Sequence, residues 1–222
     1  MDGWRSDLRS RLRSNLALKF AGIPAFVGIF FVVYFLLLLF PMFPVTIMPV
    51  TAIDRAIGFS PWALGAYFSL WFYVSIAPSL LRNRRDLWFH GKIAAVMGLV
   101  GLAIFLFWPT AVPVGAGLSE KDLEALAWLK QVDATGNACP SLHVAFAVFS
   151  GLWLDRVLKA MRVPLMGRLL NLFWCVAICY STLATKQHVF IDVIAGAMLG
   201  GIAGMVRSRE PFDAITPVAV PS

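Results

Sequence analysis

The sequence predicts an all-α fold: a polytopic membrane protein built as a bundle of six transmembrane helices. Two observations carry this expectation. Hydrophobic residues make up 59% of the 222-residue chain and charged residues only 14%, against roughly 25% charged in an average soluble domain. Apolar runs of about 20 residues, the length that crosses a roughly 30 Å hydrocarbon core, fall near 20–40, 62–81, 92–109, 142–160, 168–184 and 189–206. The run at 168–184 is the most polar, since it contains Asn171, Ser181 and Thr182.

Residues 1–19 form a basic amphipathic segment. Trp4, Leu8, Leu12 and Leu16 recur every four residues beside Arg5, Arg9 and Arg13, the pattern of a helix lying in a membrane interface and facing anionic lipids. The apolar run from Phe20 to Phe40 exceeds a signal-peptide core of roughly 7–15 residues, and no small-x-small cleavage site follows it, so it is expected to remain as an anchor. The stretch PMFPVTIMPV after residue 40 carries three prolines and reads as extended or irregular. Between the third and fourth spans, Ser119 followed by Glu120 and Asp122 caps a short helix carrying Leu123, Leu126 and Leu129. Residues 20–206 make one membrane domain, and 207–222 a proline-containing tail.

Charge sets the orientation. With six spans and the N-terminus inside, all but Arg55, Lys121, Lys130 and Lys186 of the 19 Lys and Arg residues fall on one side. The positive-inside rule then places both termini in the cytoplasm and the loops 41–61, 110–141 and 185–188 outside. The net charge of +7 is therefore topological and needs no nucleic acid as a partner. Cys175 and Cys179 read as small core residues, Cys139 as an external cysteine without an evident partner, and His90, between Phe89 and Gly91, as an interfacial histidine.

Two stretches stand out chemically. In ATGNACPSLHVAFAV, Pro140 is placed at the first helical position with Ser141, Leu142 and His143 behind it, a helix N-terminus suited to an anion. In TKQHVFIDVIAG, His188 and Asp192 are four residues apart, which on a helix brings them to one face. An ionisable residue inside a span costs about 2.5–3.5 kcal/mol, so Asp192 needs a partner, and His188 is the nearest. The topology brings both stretches to the outer face, an arrangement suited to phosphoryl transfer through a covalent intermediate. His188 is the candidate nucleophile, Asp192 its orienter and His143 the acid; Ser141, Leu142 and Lys186 are the candidate phosphate-binding residues.

These residues resemble the type-2 phosphatidic acid phosphatase superfamily of membrane lipid phosphatases and phosphotransferases. Its Pro-Ser-Gly-His motif is matched by Pro140, Ser141 and His143, with Leu142 in the glycine position. Its Ser-Arg-x5-His-x3-Asp motif is matched by Ser181, His188 and Asp192, with Thr182 in place of arginine. The Lys-x6-Arg-Pro motif is missing: Gly101 and Trp108 stand where the lysine and arginine belong, before Pro109. The resemblance implies a phosphohistidine on His188 and six spans with an outward-facing site. Without the missing cations the sequence looks most like the inositol phosphorylceramide synthase branch. The implied partners are a membrane phospholipid or polyprenyl phosphate and a lipid alcohol acceptor, with no cofactor and no metal. Four other readings remain open: a lipid phosphate or polyprenyl diphosphate phosphatase, a metal held by His143, His188 and Asp192, a rhomboid-like Ser141–His188 protease, and a non-catalytic lipid-binding scaffold or transporter component.

Overall fold

In the computed structural model, which describes residues 3–113 and 136–207, each of the six apolar runs is a helix. They are α2 (Leu16–Leu39), α4 (Leu64–Ser79), α5 (Arg84–Phe107), α6 (Leu142–Ala160), α7 (Leu165–Ala184) and α8 (Phe190–Met205). Three of them, α2, α5 and α7, are long and apolar enough by themselves to cross a membrane. Helix α4, at 16 residues, rises about 24 Å, short of a roughly 30 Å core, and α6 carries Asp155, Arg156 and Lys159 near its C-terminal end. The helix expected after Ser119 and the tail beyond residue 207 lie outside the described residues.

Helix α6 is the centre of the bundle. Val144, Ala145, Ala147, Phe149, Trp153 and Val157 on it are all buried. Its tightest neighbour is α8, and the reason is in the sequence of α8: Gly196 and Gly200 lie one turn apart on the contact face. A Cβ on either would overlap a carbonyl oxygen of α6, Ser141 O or Ala145 O. Small residues at this spacing let two backbones approach within a membrane, where there is no hydrophobic force between helices to press them together. The approach is sealed by Ser141 N–H donating to Asp192 O at 3.0 Å.

Helix α7 keeps its polar residues without breaking. Asn171 Nδ2 donates to Gly151 O on α6 at 3.0 Å, and Asn171 Oδ1 accepts from Tyr73 on α4 at 2.6 Å. Ser181 and Thr182 turn their hydroxyls back onto the carbonyls of Ile178 and Cys179, as hydroxyl side chains do inside helices.

The N-terminal helix α1 (Gly3–Arg13) keeps Arg5, Arg9 and Arg13 exposed, while two other cations of the N-terminal segment turn inward: Arg11 is 2% exposed and Lys19 6%. Lys19 Nζ donates to Ser79 O at 2.8 Å, Arg11 Nη1 to Leu80 O at 3.3 Å and Asn15 Nδ2 to Arg82 O at 2.7 Å. The first two are carbonyls at the C-terminal end of α4, which a helix leaves unsatisfied, and the third belongs to the turn that follows. His90 differs from the interfacial position expected of it. It is buried between the rings of Phe149 and Trp153, both at 5.0 Å, instead of lying in an interfacial belt.

At the opposite end the connections fold over the bundle. The proline-rich stretch supplies β1 (Thr46–Ile47), which pairs in parallel with β2 (Thr110–Ala111), Thr46 opposite Thr110. This strand pair, among described residues that are otherwise mostly helical, was not legible from composition. A short helix, α3 (Ala52–Ala56), follows β1 with a Thr51–Asp54 capping box. Cys139 N–H donates to Thr110 Oγ1 at 2.8 Å, so the strand pair holds the segment that enters α6.

Candidate active site

Asp192 is the anchor of the site. It is fully buried and occupies the third position of α8, where its Oδ2 accepts from Val189 N–H at 3.0 Å. This caps the helix and folds the preceding residue back over the carboxylate, leaving His188 Nδ1 3.6 Å from the same Oδ2. The sequence expectation placed His188 and Asp192 on one helical face; the helix begins only at Phe190, and it is the cap that brings the two together. At 3.6 Å the pair is in ion-pair range and just beyond a hydrogen bond, the loose spacing common before substrate tightens a site. His188 Nδ1 has no hydrogen-bond partner among the described residues.

His143 stands in the first turn of α6. Its ring stacks on Tyr67 at 4.1 Å and 12° and meets the edge of Trp71 at 6.2 Å. Its Nε2 lies 3.0 Å from Tyr67 O. A carbonyl can only accept, so Nε2 carries the proton and Nδ1 is left to take or give one. Both histidines border one cavity of about 150 Å³. Gln187 and Asn137 border it too, with Gln187 Nε2 lacking a partner among the described residues and Asn137 Nδ2 donating to Tyr34 O at 3.2 Å. Neither amide was identified from the sequence, because nothing in their local spacing distinguishes them from loop residues.

The candidate phosphate ligands fare differently. Pro140 lies outside the helix: Ser141 is the cap and Leu142 the first helical residue. Ser141 is fully buried, its Oγ accepting from Val144 N–H at 3.2 Å, and it does not border the cavity. An enclosed cap hydroxyl cannot act as a protease nucleophile. Leu142 does border the cavity. Lys186 does not; its Nζ donates to Asp54 O at 2.8 Å and to Ile57 O. Burial lowers its pKa, and Asp54 opposes that shift. Cys139 is buried beside Asp192, and burial first and the carboxylate second push its thiol up to about 11, which leaves it inert as a nucleophile. Among the described residues no group of three or more His, Cys, Asp and Glu is arranged to hold a metal.

The departures from the resembled motifs meet in space. Leu142, in the glycine position, fills the room beside Gly101, in the lysine position, so that a Cβ at 101 would overlap Leu142 Cδ2. A longer side chain at 101 would require Leu142 to turn away from the place it now fills. Trp108, in the arginine position, instead donates its Nε1–H to Thr46 Oγ1 at 3.1 Å.

Sequence spacing also gave no sign of Asp54. It is 7% exposed; its Oδ1 accepts from Phe190 N–H at 2.7 Å, and its Oδ2 accepts from both the amide and the hydroxyl of Thr51 at 2.7 Å. With Lys186 held on its carbonyl, Asp54 grips the chain on both sides of His188. Asp54→Asn keeps the volume but leaves one of these donors facing an amide. A buried donor without its partner costs about 1–3 kcal/mol, so kcat should fall roughly tenfold with KM little changed. Steady-state kinetics check this; an unchanged kcat would reduce Asp54 to a loop cap.

Comparison with known proteins agrees with the geometry. No curated protein and no solved structure matches the chain. The family model of the PAP2 superfamily matches residues 43–206, a stretch that takes in both histidines, Asp192 and the helices that hold them. By that match this membrane protein, with its phosphatase-type chemistry, belongs to the PAP2 superfamily.

Proposed function

We propose that this protein transfers a phospho-headgroup, for example inositol phosphate, from a membrane phospholipid to a lipid alcohol through a phosphohistidine-type intermediate. The observation that carries the reading is the cavity's lining: two histidines, two amides and aromatic rings, with no lysine or arginine among its described residues. A dianionic free phosphate product would lack a cationic clamp there. A phosphodiester carries one negative charge fewer, and the N-terminal turn of α6 with Gln187 and Asn137 offers dipoles for it.

In the first step His188 Nε2 attacks phosphorus, the P–O bond to the lipid breaks, and His143, entering the step as an imidazolium, gives the proton on Nδ1 to the departing alkoxide while its Nε2–H stays on Tyr67 O. Asp192 holds the His188 Nδ1–H and balances the positive charge that grows on the ring. In the second step His143 takes the proton of the acceptor hydroxyl, whose oxygen attacks phosphorus; the P–N bond breaks and His188 is restored. On this reading the site faces outward and both termini are cytoplasmic, following the charge asymmetry.

The test is product identity. Purified protein is offered phospholipids and polyprenyl phosphates with and without ceramide or diacylglycerol, and every product is resolved by mass. A new headgroup-bearing lipid that forms only with an acceptor is expected. Steady phosphate release at a rate indifferent to the acceptor would assign hydrolysis instead.

A further inference from the structure

The pocket of His143 and His188 does not end at its aromatic floor. A second cavity, of about 360 Å³, begins at the same side chains: Phe30, Phe31, Leu70, Trp71 and Phe146 border both. It runs between α2, α4, α5 and α6 away from the site, to a far end bordered by Leu18, Pro78, Trp88 and Lys92. From Phe31 to Leu18 it follows thirteen residues of α2, about 20 Å at the helical rise. Its walls are apolar apart from His90, Ser150 and Lys92.

We propose that this second cavity binds one hydrocarbon chain of the lipid whose phosphate sits at His143 and His188, and that it favours chains longer than half a bilayer. The assignment rests on the lipid-phosphate chemistry proposed above. Continuity decides the occupant, since a chain attached to a phosphate in the first pocket meets the second at its shared wall. The Phe31–Trp71 and Phe30–Phe146 ring pairs, in contact at 4.6 and 5.3 Å centre to centre, form the wall that the two cavities share. Length follows from depth, because half of a roughly 30 Å core is about 15 Å and the cavity is longer. A chain moving from bilayer to protein gains no hydrophobic transfer, both surroundings being apolar. What it gains is contact along the walls, which a chain too short to reach the far end forfeits.

Gly91 makes the test clean. It borders the far end of the cavity, and a Cβ built on it meets nothing within 4 Å. Gly91→Leu therefore starts its side chain in open space at the cavity's edge, and leucine favours the helix more than glycine does. Wild-type and Gly91→Leu protein are compared on substrates of one headgroup and graded chain length. Wild-type kcat/KM should rise with length, and the variant should lose about tenfold on long chains while staying within about twofold of wild type on short ones. Equal losses at all lengths, or none, would overturn the proposal. A second measurement needs no turnover: a long-chain alkyl phosphate with a photoreactive group at its distal end should crosslink to Val27, Leu87 or Ala95, which border the cavity. Crosslinks confined to outward-facing Val32, Leu36 and Leu99 would refute the cavity as its site. Wild-type protein inert on every lipid would sink the catalytic reading, while the crosslink map would still decide the cavity.

Discussion

His188→Ala is expected to abolish turnover and covalent labelling by a phosphate donor. The residue sits where a nucleophile must, bordering the cavity with Asp192 behind its Nδ1, so that Nε2 is the nitrogen left to attack. The nearby alternatives are disqualified one by one. Ser141 is enclosed and caps α6, and the Cys139 thiol is buried and held up to about 11. Single-turnover labelling followed by mapping of the modified peptide checks it, and residual activity above a few per cent in a folded variant would remove His188 from the nucleophilic role.

Asp192→Asn should cost up to about 10⁴-fold in rate, the scale seen when an orienting carboxylate in a triad becomes an amide. The carboxylate does two things here. As a cap it accepts from Val189 N–H, and loss of a cap costs about 0.5–2 kcal/mol of stability. As an orienter it faces His188 Nδ1, where an amide would supply no charge and could present N–H to the nitrogen that should itself be protonated. The two roles separate in measurement. Asparagine can keep the cap through its carbonyl oxygen, so thermal stability in detergent should shift little while the rate of His188 labelling collapses. A folded variant with wild-type labelling would return Asp192 to a purely structural role.

The sequence by itself determined where the helices lie and which helix ends carry the two histidine stretches. The apolar runs became α2 and α4 through α8 because burial of an apolar segment is legible residue by residue. His143 and His188 were brought to one end of the bundle by counting spans, and the structure puts both on one cavity. The tertiary structure decided which polar residues near them face that cavity. Ser141 and Lys186 have the right chemistry and the right positions along the chain, yet one is consumed by its own helix and the other by the carbonyls of Asp54 and Ile57. Asp54 lies more than 130 residues before the turn it grips, and no periodicity links them. The same holds for Gly101 and Leu142, two departures from the resembled motifs that explain each other only once their side-chain space is seen to be shared. Hydrophobic period, capping and net charge are properties of neighbours in sequence. Which donor finds which acceptor is set by where the helices cross, and that crossing rests on the close approach of Gly196 and Gly200 to α6.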